Sequence, residues 1–123
     1  MEINETLNRL FGSLEGVGEK IKEASMKVGR ATTRVMLQLY YVLRADSTPK
    51  EDKLIIVGTL AYQLLPKDLI STKVLGLLGL TDNAAALLVA YRKMKRHITP
   101  QIDMQVDETL DRWFGPREAT VVC

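Results

Sequence analysis

Residues Leu54 to Tyr91 read LIIVGTLAYQLLPKDLISTKVLGLLGLTDNAAALLVAY, two apolar runs divided by a polar break. The first run, Leu54 to Leu65, is apolar nearly all the way round a helical wheel, which marks a segment enclosed on every side by other helices or by lipid. Pro66 stops it, because the residue before a proline is pushed away from helical geometry. Lys67 to Leu80 reads as irregular, with one helical turn near Thr72 to Leu77 bounded by Gly76 and Gly79. Thr81 or Asp82 then caps a second helix running from Asn83 to about His97, apolar in its first half and basic (RKMKRH) in its second. The stretch is a helical hairpin, and the fold expected is all-α, with about five helices around this central apolar hairpin.

The flanks supply the remaining helices. Thr48, Pro49 and Glu51 form a start signal, with Thr48 as N-cap, Pro49 at the first helical position and Glu51 three residues after the cap. Before it, Ile21, Ala24, Val28, Ala31, Val35, Leu39 and Val42 make one long stripe, predicting a helix from Gly18 to about Arg44. That stripe suits a protein core or a lipid interface. Thr6 to Val17 shows a weaker apolar face, interrupted by glycines that each cost a helix about 1 kcal/mol relative to alanine. Downstream, Thr99 and Pro100 open a last helix with Ile102, Val106, Leu110 and Trp113 or Phe114 on one face, closed by Gly115 and Pro116. That face is expected to lie against the hairpin and to shield Trp113. The chain divides into a mobile N-terminal helix in residues 1–18, a helical domain over 19–115 and a disordered tail over 116–123.

Composition narrows the function. The chain has 123 residues, enough for one domain with a modest core. A net charge of +2 lacks the strong basic excess of a nucleic-acid binder, so no nucleic acid is expected as a partner. The single cysteine, Cys123, excludes an internal disulfide framework and carries no prenylation signal. The opening MEINETLNRL is acidic and polar where a secretory leader is basic and then apolar. Neither half of the hairpin is a simple membrane span: Leu54 to Leu65 extends about 18 Å at about 1.5 Å per residue, against a hydrocarbon core of about 30 Å. The second half carries Thr81, Asp82 and Asn83 inside it. Either the hairpin is the core of a water-soluble bundle, or it dips into or crosses a bilayer with its polar residues paired.

The order of motifs resembles the YkvA-like family, a bacterial domain of unknown function with an SPIDLIPD-like segment, a PVLG-like turn and a pair of acids. Leu65, Pro66, Lys67, Asp68, Leu69 and Ile70 fall on S-P-I-D-L-I, Gly76 to Gly79 on the turn, and Asp82 with Asn83 on the acid pair. HITPQI followed by LDRWFG is similar to the family's closing helix, so the likeness covers roughly Tyr40 to Gly115. Leu65, Ser71, Thr72 and Asn83 depart from the pattern and leave the family's set of carboxylates incomplete. The resemblance implies a membrane-associated protein at the cytoplasmic side of a bacterial inner membrane, the alternative being a cytoplasmic one.

Pro66, Asp68, Gly79, Asp82 and Asn83 are thus the candidate structural motif. Asp68 and Asp82 could share a proton or bind a cation, but capping exposed backbone N–H groups is the plainer role for both. No catalytic residue, metal site or cofactor is expected: His97 has no ligand partner at metal-binding spacing, and neither a nucleophile elbow nor a phosphate loop occurs. Arg92, Lys93, Lys95 and Arg96 are candidate lipid-binding residues, since a basic run beyond an apolar segment attracts anionic lipid. The same run also complements the negative pole of its helix. The expected function is a non-enzymatic, membrane-associated interaction or scaffold protein. The alternative is a soluble adaptor that binds a protein through the Ala31 to Val42 face or the Trp113 and Phe114 end.

Overall fold

The structure, a computed structural model, describes residues 3–65 and 83–115. These form α1 (Ile3–Phe11), α2 (Leu14–Arg44), α3 (Lys50–Leu64), α4 (Asn83–Met94), a 3-10 turn (Lys95–His97) and α5 (Pro100–Phe114), with no strand among them. The fold is all-α. The turn between the two apolar runs and the tail after Gly115 lie outside the described residues.

The weak first helix divides differently from the sequence pattern. Gly12, at φ 81°, ends α1, and the Ser13 hydroxyl caps α2 by accepting from the Gly16 N–H at 3.0 Å. Leu14 and Val17 therefore belong to α2, with Val17 fully buried. Leu7 joins the core from α1, while Leu10 and Phe11 pack on Ala61, Tyr62 and Leu65 at the end of α3.

The largest departure from the sequence pattern is at Gly29. Its φ of 86° and ψ of 170° lie in a region that is essentially glycine-only, and they break α2 into two arms, residues 14–28 and 30–44. Gly18 and Tyr40, 22 positions apart, would stand about 33 Å apart along a straight helix. Instead a Cβ on Gly18 would sit 3.1 Å from the Tyr40 ring. The arms therefore fold back on each other about a single residue. The expected continuous stripe is broken accordingly: Val28 and Ala31 are exposed at the turn, and burial resumes at Thr33, Met36 and Leu37 on the second arm.

The corner between α2 and α3 also differs from the capping pattern. Pro49, in extended backbone, is the N-cap residue of α3 and makes no side-chain cap bond. Thr48 turns inward instead, its hydroxyl donating to the Val42 carbonyl at 2.7 Å in a buried position. Beyond this corner α3 is enclosed as expected, with every residue from Ile56 to Tyr62 buried. It touches α1, α2 and α4, whereas α2 touches all four other helices. Among the described residues the centre of the bundle is thus the folded-back α2, with α3 beside it.

The last helix follows its sequence signals closely. Thr99 accepts from the Ile102 N–H at 3.2 Å, Pro100 opens the helix, and Gly115 at φ 93° closes it. Ile102, Val106 and Leu110 are buried, and Trp113 and Phe114 are half-buried. Among the described residues their face rests on α2 rather than on the two helices of the hairpin.

Candidate functional site

Of the sequence motif, Pro66, Asp68, Gly79 and Asp82 lie outside the described residues. Asn83 is the first residue of α4, and its side chain also falls outside them.

The basic run is placed by the end of α4 and the turn after it. Arg92, Lys93, Lys95 and Arg96 are all exposed. Met94, in their midst, is fully buried and pins the segment to the core. Arg96 is drawn to α3, where its guanidinium lies 3.4 Å from the Asp52 carboxylate. His97 Nε2 meets the same carboxylate oxygen at 2.8 Å. Asp52 sits in the first turn of α3, where a carboxylate is already favoured by the helix dipole. The pair ties the start of α3 to the turn between α4 and α5, giving the solitary histidine a partner 45 residues away. Arg92, Lys93 and Lys95 have no ion pair among the described residues.

One turn before these cations the same helix exposes hydrocarbon. Leu88 and Val89 are each 50% exposed. Residues four apart share a helix face, so on α4 Leu88 lines up with Arg92 and Val89 with Lys93, and Lys95 and Arg96 follow on the 3-10 turn. An apolar strip thus runs into a basic one along a single surface.

A second polar array joins α2 to α5. Arg30, Arg34 and Gln38 recur every four residues on the second arm, and Asp103, Asp107 and Asp111 do so on α5. Running antiparallel, they pair as a ladder: Arg30 with Asp111 at 2.8 Å, Arg34 with Asp107 and, at 3.6 Å, with Asp103, and Gln38 Nε2 donating to Asp103 at 3.1 Å. Arg30 also donates to the Gly115 carbonyl at 3.3 Å and lies 5.9 Å from the centre of the Phe114 ring. Tyr41 and Thr109 share a hydrogen bond of 2.8 Å between the same two helices. Sequence reasoning missed this array, although the two four-residue spacings were there to find. The face from Ala31 to Val42, considered above as an adaptor surface, is largely internal: Met36, Leu37, Leu39 and Val42 are buried.

Between the second arm of α2 and α4 lies a groove of about 560 Å³. Val35, Leu87, Leu88 and Tyr91 form its apolar walls, with Thr32, Arg34 and Gln38 on the α2 side and Gln63 from α3. No group of three His, Cys, Asp or Glu side chains able to hold a metal occurs among the described residues. No helix among them is long and apolar enough to cross a membrane.

Residues 52–89 match the model of a protein family described as a protein of unknown function (DUF1232). The matched segment begins at Asp52 and ends at Val89, taking in α3 from its third residue and the first half of α4. No curated protein and no solved structure matches the chain.

Proposed function

We propose that the protein is a non-enzymatic helical module that holds to an anionic membrane surface and presents its bundle to a protein partner. Within the family of unknown function we read it as YkvA-like, on the Pro66 to Ile70 and Asp82 motifs, and we place it at the cytoplasmic face of a bacterial inner membrane. One observation carries the membrane reading: half-exposed Leu88 and Val89 continue along the helix into Arg92, Lys93 and Lys95, cations without an ion pair among the described residues. An apolar strip that enters the headgroup boundary beside cations that meet lipid phosphates is how a surface-lying helix binds. The contact uses an exposed face and needs no spanning segment.

Vesicle flotation tests it. Each basic residue near an anionic surface is worth about 1 kcal/mol, so replacing Arg92, Lys93, Lys95 and Arg96 with glutamine should weaken binding to anionic vesicles by up to about a thousandfold. Binding to neutral vesicles should barely change. Salt sensitivity should fall with the charges, because screening acts over about 8 Å at physiological ionic strength. A wild-type chain that stays unbound to anionic vesicles at low salt refutes this reading. The soluble adaptor would then replace it, with exposed Met26 and Val28 beside the α2 turn as its contact surface.

A further inference from the structure

We infer that the groove between the second arm of α2 and α4 holds the acyl chain of a single anionic amphiphile, with its head at Arg92 and Lys95. The inference deepens the membrane reading and rests on it. The groove's volume of about 560 Å³ is that of a small-molecule site, commonly about 300 to 1,000 Å³. Its lining sets hydrocarbon from Val35, Leu87 and Leu88 and the Tyr91 ring beside four polar side chains, Thr32, Arg34, Gln38 and, from α3, Gln63.

The polar groups decide the orientation of the guest. On the α2 wall, Arg34 pairs with Asp107 and Asp103, and Gln38 donates to Asp103. Those side chains already have anionic partners, so that wall offers little to a second anion. On the α4 side, Arg92 and Lys95 have no carboxylate partner among the described residues. Arg92 lies one helical turn beyond Leu88, about 6 Å along the axis, and Lys95 about 10 Å. Charge and hydrocarbon are thus separated along α4 and the 3-10 turn after it in the order of an ionised lipid's own head and tail. Leu88 belongs both to the groove and to the exposed apolar strip, so a chain entering from a bilayer leaflet would pass over it.

Calorimetric titration of the full chain with dodecanoate below its micelle concentration tests the assignment. Saturable binding of one dodecanoate per chain is expected. Neutral dodecyl maltoside should bind at least tenfold more weakly, and butyrate, with too short a tail, should not bind detectably. Val35→Trp fills the groove and should weaken dodecanoate binding at least tenfold while anionic-vesicle flotation stays as in wild type. Leu88→Gln, at a half-exposed position, should also weaken it without loss of fold, judged by an unchanged thermal melt. Arg92→Gln with Lys95→Gln should weaken dodecanoate more than maltoside. If the chain floats on anionic vesicles but binds no dodecanoate, or if Val35→Trp folds and binds it normally, the groove assignment is overturned and the surface reading stands. If dodecanoate binds one to one while flotation fails, the surface reading falls and the groove assignment remains. Equal affinity for the maltoside overturns the placement of the head.

Discussion

Replacing Gly29 with alanine separates two opposed accounts of α2. In a continuous helix, the substitution would remove a mid-helix glycine and stabilise the protein by about 1 kcal/mol. At φ 86° and ψ 170°, alanine adopts a conformation whose cost is about 1–3 kcal/mol. Its smaller unfolded-state entropy returns about 0.4–1 kcal/mol of that. A Cβ at Gly29 meets nothing within 4 Å, so no packing clash blurs the comparison. The net expectation is a loss of about 1–2 kcal/mol. For a domain of this size that is a fall in Tm of about 4–8 °C, read by circular dichroism or calorimetry. Spin labels on Glu15→Cys and Arg44→Cys, with Cys123→Ser, add a geometric check. Glu15 and Arg44 line one crevice, whereas a straight helix would hold them about 44 Å apart. A raised Tm together with a long inter-label distance would refute the fold-back.

Three further outcomes follow from burial and pairing. Leu110→Ala, at a position 1% exposed, should cost about 2–5 kcal/mol in urea unfolding; a loss below about 1 kcal/mol would mean that α5 is not docked. The Thr59 hydroxyl is buried without a hydrogen-bond partner among the described residues, so Thr59→Val should stabilise by about 1 kcal/mol, and a lower melting temperature would contradict that. A double-mutant cycle on Arg34→Ala and Asp107→Ala should give a coupling of about 0.3–1 kcal/mol that shrinks with salt, since these side chains are 33% and 52% exposed; coupling that salt leaves unchanged would count against the ladder as drawn.

Local chemistry made parts of this fold legible. Thr99, Pro100, the Ile102–Val106–Leu110 spacing and Gly115 each act within a turn of themselves, and together they delimit α5. The all-round apolar run at Ile56 to Tyr62 likewise declares an enclosed helix. Gly29 gave no such notice, because a glycine inside a good amphipathic stripe reads as a small propensity cost, and only tertiary packing shows that its backbone reverses the chain. Thr48 misled for a related reason: its spacing to Glu51 fits a capping box, in which its hydroxyl would accept from α3, but the hydroxyl turns inward and donates to the Val42 carbonyl. The exposure of Arg92, Lys93, Lys95 and Arg96 accords with their composition. Their alignment with Leu88 and Val89 needed the helix register, and the partnership of Asp52 with His97 needed the fold.

The ladder between α2 and α5 also imposes an order of assembly. The two arms of α2 meet around one residue, whereas the ladder's pairs are separated by 65 to 81 residues of chain. Closing a loop of about 70 residues costs about 1.7 kcal/mol more than closing one of about 10, and the cost precedes any contact that offsets it. The arms can close early, while the second arm's α5-facing surface waits for the last helix. During synthesis that surface leaves the ribosome well before α5 exists. Until then Arg30, Arg34 and Gln38 are hydrated, and the charge of the two arginines keeps the waiting face from joining the wrong neighbour.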